Sequence, residues 1–380
     1  MNNQIKLAVA AALLAAASSA NAGISIPAGD WTLDIGGVVN AYYTSTKTDG
    51  VKSVNNITTG LLPNVLSFSG KTRQNDLDVA FTISIQPGAA TSVGLENYAH
   101  ATQENRQAFL TFGDASWGSF KLGKDLGIYA SDAILNDMTL LGVGAGASAV
   151  GTTTLGRIGG GYIYADWKSQ IAYTTPNFNG FSATVGLTQG WNEVGSTTTI
   201  LRSGSQSAYE GKASYSWTGD VAGKVWASGI SQNVQLSQSK DVNATAWDIG
   251  ANVNVAGFGG VAYYGQGKGL GTVIQFSNGL DANGNKRDSD DWYVQGTYTI
   301  PTVGTKLGVS YGESSLDGNA VDAYSSTTRK QTTVGVYHPL TKHLNLVAEY
   351  TNLDADTNNK VLADTSVRSK TISAGAILFF

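Results

Sequence analysis

Few residues of this 380-residue chain have the types and spacing that chemistry requires. Four oxygen-bearing residues have the spacing of ligands in a calcium-binding loop: Asp281, Asn283, Asn285 and Asp288. Lys286 stands where such a loop needs a turn glycine, and Trp292 stands where a bidentate glutamate belongs. A solvated surface loop is therefore the favoured interpretation, and calcium binding is the weaker alternative.

Other catalytic or cofactor signatures are also weak. The chain has three histidines and no cysteine, and His338 and His343 flank a predicted turn without a third zinc ligand. The glycine-rich stretch 142–147 lacks the preceding strand and following helix that a dinucleotide-binding loop needs. We therefore predict that the protein has no cofactor, no metal other than the weak calcium candidate, and no enzymatic activity.

Composition excludes several classes of protein. Hydrophobic residues make up 42 % and charged residues 14 %, so the chain is too apolar to be disordered. The net charge is −4, which argues against a nucleic-acid-binding protein. The absence of cysteine excludes a disulfide scaffold and a catalytic thiol. The low charge and the 47 glycines need another explanation.

The first 22 residues read as a secretory signal. Lys6 precedes an uninterrupted apolar run over 7–17, and Ala20 and Ala22 form a small-residue cleavage site. The apolar run is too short to span a bilayer as a helix, which takes about 20 residues. We expect an exported protein whose mature chain, 23–380, is a single domain.

The mature chain shows the period-two alternation of β-strands almost throughout. In one segment Leu307, Val309 and Tyr311 share a face, and small or polar residues occupy the other. Connections alternate between short and long. Short turns are predicted at 72–76, 114–117, 176–179, 218–222, 256–259, 301–304 and 339–343. Longer loops are predicted at 44–60, 87–104, 125–165, 191–206, 236–242, 271–287, 315–327 and 355–367.

These connections join sixteen predicted strands. An even number of antiparallel strands, with short turns at one end and long loops at the other, is typical of a transmembrane β-barrel. Aromatic residues near strand ends, as in interfacial girdles, favour the barrel over a soluble sandwich: Trp31, Tyr42, Tyr43, Tyr173, Trp217, Trp292, Tyr298, Tyr311, Tyr337 and Tyr350. The fold class is therefore all-β, a 16-stranded antiparallel transmembrane barrel.

Several motifs resemble one family in order and spacing. Residues 105–113 (Asn-Arg-Gln-Ala-Phe-Leu-Thr-Phe-Gly) and 118–124 (Gly-Ser-Phe-Lys-Leu-Gly-Lys) resemble the fourth and fifth strands of Gram-negative general porins. Residues 156–160 are similar to the end of the third loop of that family, and 171–181 to its sixth strand, turn and seventh strand. With the signal and the terminal Phe380, the resemblance covers the whole chain.

The resemblance implies an outer-membrane homotrimer that conducts ions and small solutes by passive diffusion. It implies contact with outer-membrane lipid and lipopolysaccharide, and recognition of Phe380 by the barrel-assembly machinery. The third loop, about 125–165, would fold inward and constrict the pore. Six residues match or neighbour the charged constriction positions: Asp137, Arg106, Arg157, Asp132, Asp125 and Lys121. Opposed charges across such an aperture would bias permeating ions.

The chain also departs from the family. Val65 and Ala172 occupy two positions that often carry arginine in the family. The stretch after Asp137 is rich in glycine and alanine. Two interpretations stay open: a weakly charge-selective pore suited to small organic solutes, or a loop that simply packs against the wall. Two alternatives to a diffusion porin also stay open. They are a substrate-specific outer-membrane channel and, less favoured, a plugged structural or hydrolytic barrel.

Overall fold

A computed structural model describes residues 23–89, 103–145, 153–190, 206–237, 240–281 and 283–380. The predicted signal, 1–22, lies outside these residues. The strands are β1 (Ile24–Ala28), β2 (Trp31–Thr48), β3 (Val54–Thr58), β4 (Val65–Gln74), β5 (Leu77–Pro87), β6 (Gln103–Asp114), β7 (Gly118–Leu126), β8 (Trp167–Thr174), β9 (Phe181–Thr188), β10 (Ala208–Trp217), β11 (Val221–Ser237), β12 (Lys240–Val255), β13 (Phe258–Lys268), β14 (Asp288–Thr299), β15 (Lys306–Asp317), β16 (Tyr324–Pro339), β17 (Leu344–Asn359) and β18 (Thr365–Phe379).

Sixteen of these strands close into an antiparallel barrel, which confirms the predicted fold class. Each strand from β4 to β18 pairs with the next, and β2 pairs with both β4 and β18 to complete the ring. The short strands β1 and β3, which the sequence did not predict, pair with the two ends of β2. A closed ring leaves no unpaired strand edge. A bilayer would not tolerate such an edge, because its backbone N–H and C=O groups would lack hydrogen-bond partners.

The alternation of side chains sets the two faces of the wall. Val309 on β15 is 53 % exposed on the outer face, whereas its neighbour Ser310 is 2 % exposed on the inner face. Outward aliphatic and aromatic side chains recur on almost every strand. Among the described residues, no helix is long and apolar enough to cross a membrane.

The seven predicted short turns all fall between consecutive strands. The long connections were predicted less well. The loops at 236–242 and 355–367 are wrong, because Ser237 pairs with Lys240 and Thr357 pairs with Thr365. The loop at 44–60 is also partly wrong, because β2 continues to Thr48 and β3 follows. We call the end of the barrel with the short turns the turn side and the opposite end the loop side.

Two of the aromatic residues predicted for the interfacial girdle lie inside the barrel. Tyr42 and Tyr337 are 1 % and 2 % exposed, and they pack in a buried cluster with Ile134 and Met138 from the long connection between β7 and β8. The hydrophobic core of the molecule therefore lies within the ring, between the wall and this connection.

Candidate functional site

The connection between β7 and β8, residues 127–166, supplies the inner structure of the barrel, and we call it the third segment. It contains helix α1 (Ser131–Asn136) and a 3-10 turn, Met138–Leu141. The hydroxyl of Tyr293 on β14 donates to the carbonyl of Ala133 at 2.9 Å, and that of Tyr42 on β2 donates to the carbonyl of Leu141 at 2.7 Å. The segment thus contacts strands from separate parts of the ring.

Glu349 on β17 binds the middle of the third segment. One of its carboxylate oxygens accepts hydrogen bonds from the backbone N–H groups of Val143 and Gly144, both at 2.8 Å. The other accepts from the Tyr337 hydroxyl at 2.7 Å. A Cβ on Gly142 would lie 2.1 Å from the same carboxylate, so a larger residue there would force the Glu349 carboxylate to move.

Glu210 on β10 binds the start of the third segment in the same way. It accepts from the backbone N–H groups of Ile128 and Tyr129, both at 2.8 Å. The ammonium group of Lys168 pairs with Glu210 at 2.6 Å and donates to the Gln275 side chain, also at 2.6 Å. The side chains of Lys168 and Glu210 are 2 % and 0 % exposed, and a buried pair of this kind depends on both partners.

Gln275 belongs to a second inward connection, residues 269–287 between β13 and β14. Phe276 and Leu270 are each 1 % exposed, and the N–H of Tyr164 donates to the carbonyl of Val273 at 3.0 Å. The two connections therefore pack on each other inside the ring. The sequence predicted 271–287 only as a long loop.

Arg157 and Asp137 are buried within this packed region. Arg157 is 0 % exposed and donates to the carbonyls of Gly160 and Gln331 at 3.1 and 3.0 Å, and also to the Ser310 hydroxyl. Asp137 accepts from the Tyr162 hydroxyl at 2.8 Å and from the N–H of Thr139 at 2.9 Å, which caps the 3-10 turn.

Asp132 lies on α1 and pairs with two wall lysines. The ammonium group of Lys212 lies 2.9 Å from one carboxylate oxygen, and that of Lys224 contacts the other. Burial alone would raise the pKa of Asp132, but the two lysines hold it below its usual value of 3.8. Asp132 therefore remains ionised and joins the third segment to β10 and β11.

Asp125 and Lys121 both lie on β7, which corrects the expectation that Asp125 belongs to the third loop. Their side chains form an ion pair, and Asp125 also accepts from the Gln107 amide at 3.0 Å. The Lys121 ammonium lies 4.9 Å from the centre of the Phe109 ring, within the range of a cation–π contact.

Arg106 on β6 forms a similar group. Its Nε donates to Glu104 at 2.8 Å, and its guanidinium lies 5.8 Å from the centre of the Trp167 ring. Arg106, Lys124 and Trp167 line a loop-side cavity of about 450 Å³ together with apolar residues of the third segment.

A turn-side cavity of about 610 Å³ adjoins the loop-side cavity and lies along β2, β4, β5, β6 and β7. Its lining includes Lys121 and Phe109. Leu62, Pro63 and Trp167 line both cavities, so these three residues lie at the boundary between them. A neighbouring turn-side cavity of about 710 Å³ also reaches Lys121, as well as Asp132 and its two lysines.

The structure does not bring the four calcium candidates together as ligands. Asp281 accepts from the N–H groups of Asn283 and Asn285, both at 2.8 Å, which is the geometry of a turn. Asp288 is exposed and lies 3.6 Å from Lys268. In the described part of the chain, no group of three His, Cys, Asp or Glu residues could hold a metal ion.

Sequence reasoning missed Glu349, Glu210, Lys168 and the lysines that bind Asp132. All five lie on strands whose side chains alternate between the two faces of the wall. The period-two alternation along each strand could therefore have shown that they point inward. Lys168 and Glu210 pair across β8 and β10, however, and that pairing depends on how the two inner connections pack.

Comparisons with known proteins agree with the barrel. A family model described as Gram-negative porin matches residues 8–358. Among curated proteins, no sequence matches the chain.

Solved structures share the fold at low identity. The outer membrane channel DcaP of Acinetobacter baumannii superposes with a TM-score of 0.70 and 18 % identity, covering 94 % of this chain and 100 % of that one. An anion-selective porin from Comamonas acidovorans gives a TM-score of 0.64 and 15 % identity, covering 92 % and 100 %. OmpF of Salmonella typhi, in complex with daunomycin, gives 0.61 and 17 %, covering 94 % and 100 %.

Proposed function

The chain belongs to the Gram-negative porin family, and on that premise we propose a route and a selectivity for its channel. The protein is an outer-membrane porin that supports passive diffusion of ions and small solutes, a channel rather than an enzyme. Solutes cross first through the loop-side cavity, between the third segment and the wall formed by β6, β7 and β8. They then cross the turn-side cavity, along the wall formed by β2, β4, β5, β6 and β7. The cavities that share Leu62, Pro63 and Trp167 support this route.

Most charges along the route are compensated, and this observation carries the selectivity we propose. Lys124, which donates to the carbonyl of Asn105, is an exception. Four sets of basic side chains each have a carboxylate partner: Arg106 with Glu104, Lys121 with Asp125, Lys212 and Lys224 with Asp132, and Arg73 with Asp78 and Asp114. Paired charges leave a small transverse field, so the channel selects weakly between cations and anions. This supports the weakly charge-selective pore suited to small organic solutes.

We assign the six predicted constriction residues to two roles. Arg106, Lys121, Asp125 and Asp132 line the cavities and act on permeating ions. Arg157 and Asp137 hold the third segment, because their polar atoms bind groups within the protein. The inward fold of the third segment, in this proposal, sets the width of the aperture.

The assembly follows from family membership as a proposal. Residues 1–22 direct export, and residues 23–380 form one barrel domain that assembles as a homotrimer among outer-membrane lipid and lipopolysaccharide. Phe380 is recognised by the barrel-assembly machinery before the barrel closes. In the closed barrel its backbone pairs with Gly37, with N–H to O distances of 2.7 and 3.1 Å, which supports a role for the last residue in closure.

Planar-bilayer recording in a potassium chloride gradient tests the route and the selectivity together. We expect open steps whose K⁺/Cl⁻ permeability ratio stays within about threefold of unity. Arg106→Gln removes a cation from the route and should shift the ratio toward K⁺. Lys268→Gln, a matched change at an exposed position outside the cavities, should leave it unchanged. Identical ratios in the two variants would show that the route does not pass Arg106.

A further inference from the structure

The boundary between the two cavities is apolar, although it lies on a route for water-soluble ions. Leu62 and Trp167 are 4 % and 8 % exposed, and Pro63 is also buried. We call Leu62, Pro63 and Trp167 the collar. Solutes that follow the proposed route must pass it, so its chemistry decides which of them pass most easily.

Apolar side chains continue on both sides of the collar. Leu61, Ile134, Leu140 and Ile158 line the loop-side cavity. Val65 and Phe109 line the turn-side cavity. A solute with an apolar body therefore meets apolar side chains on both sides of the collar, and transfer of that body from water is favourable.

Each side of the collar also carries a cation stacked on an aromatic ring. Arg106 lies over Trp167 on the loop side, and Lys121 lies over Phe109 on the turn side. Both cations have carboxylate partners, Glu104 and Asp125, so neither would hold an anion tightly. Conduction needs this combination of attraction and release.

We propose that the collar makes small aromatic carboxylates the preferred solutes of this channel. The ring passes Leu62, Pro63 and Trp167, while the carboxylate moves from the vicinity of Arg106 to that of Lys121. This inference rests on the proposed function, because it assumes that the route runs through the collar.

Bi-ionic reversal potentials test the inference with benzoate and acetate as probes. Benzoate is larger and diffuses more slowly in water, so a pore without ring recognition favours acetate. An aromatic contact contributes about 0.5–1.5 kcal/mol, so we expect benzoate to be favoured roughly two- to tenfold. The sign of the preferred charge is tested with benzylammonium, which carries the same ring and should permeate less readily than benzoate because Arg106 and Lys121 flank the collar.

Two variants remove the apolar contact. Leu62→Asn and Trp167→Gln should lower the benzoate/acetate ratio below one. Trp247→Phe, at a lipid-facing position that is 47 % exposed, is the matched control and should keep the wild-type ratio. Heat-modified electrophoretic mobility and potassium chloride conductance establish that each variant is folded and open.

The outcomes separate the two proposals. Two outcomes overturn the inference alone, provided that potassium chloride conductance is normal. One is a preference for acetate in the wild type, and the other is a preference for benzoate that remains intact in both collar variants. Equal permeability of benzylammonium and benzoate overturns the carboxylate assignment. No conductance from folded barrels overturns the proposed function, and the inference with it.

Discussion

Replacing Glu349 by alanine should release the third segment from the wall without unfolding the barrel. The substitution leaves the backbone N–H groups of Val143 and Gly144 without their acceptor. Each buried donor left unpaired costs about 1–3 kcal/mol, so the pair costs roughly 2–6 kcal/mol. Because about 1.4 kcal/mol is a factor of ten in an equilibrium, even 2 kcal/mol raises the released population roughly 30-fold. The strand ladders of β17 remain intact.

Single-channel recording measures this release as frequent transitions between conductance levels. Glu349→Gln is the matched control, because both N–H groups bind the same carboxylate oxygen and an amide oxygen can replace it. The glutamine variant should therefore record like the wild type. If the alanine variant showed wild-type conductance and noise while its barrel remained folded, the reasoning that Glu349 holds the third segment would be refuted.

Three further predictions concern the inner structure. Asp137→Asn should change ion selectivity little, because its carboxylate is occupied by Tyr162 and Thr139; a large shift in reversal potential would contradict this placement. Lys168→Met should destabilise the packed inner region by about 3–5 kcal/mol, seen as faster proteolysis of the third segment, because it leaves Glu210 buried without its partner; an unchanged cleavage rate would argue against it. The pKa of Asp132 is lowered in the folded state, so its pairing stabilises fully above the ordinary value of 3.8 and is lost only as pH falls through the lower folded value. The contribution of Asp132 to conductance should therefore be the same at pH 7 and pH 5. A loss of conductance at pH 5 that occurs in the wild type and not in Asp132→Asn would show that the pKa of Asp132 is not lowered.

The wall of the barrel could be predicted from the sequence because two signals agree there. Alternation identifies Leu307, Val309 and Tyr311 as one face, and turn-forming residues end the strands on one side of the barrel. On the loop side the strands extend beyond the apolar band, as β17 does to Asn359. Both faces of the strands are polar there, so the alternation of apolar and polar side chains disappears although the backbone ladder continues. For this reason the strand ends at 236–242 and 355–367 were missed.

The inner structure could be predicted only in part. The position and length of the third segment follow from the order of the strands, but its contacts do not. Arg157 matched a charged family position, yet the fold buries it against Ser310 and Gln331. Whether a charge on an inner connection faces the aperture or the wall depends on how that connection packs. No local pattern encodes that packing.

Planar-bilayer conductance of the purified mature protein shows whether solutes diffuse through an open passage formed by the loop-side and turn-side cavities. We expect stable open steps in potassium chloride, with a reversal potential in a salt gradient that moves when Arg106 is changed to Gln. Folded barrels that insert without conducting, or that conduct with a reversal potential indifferent to Arg106, would contradict this expectation.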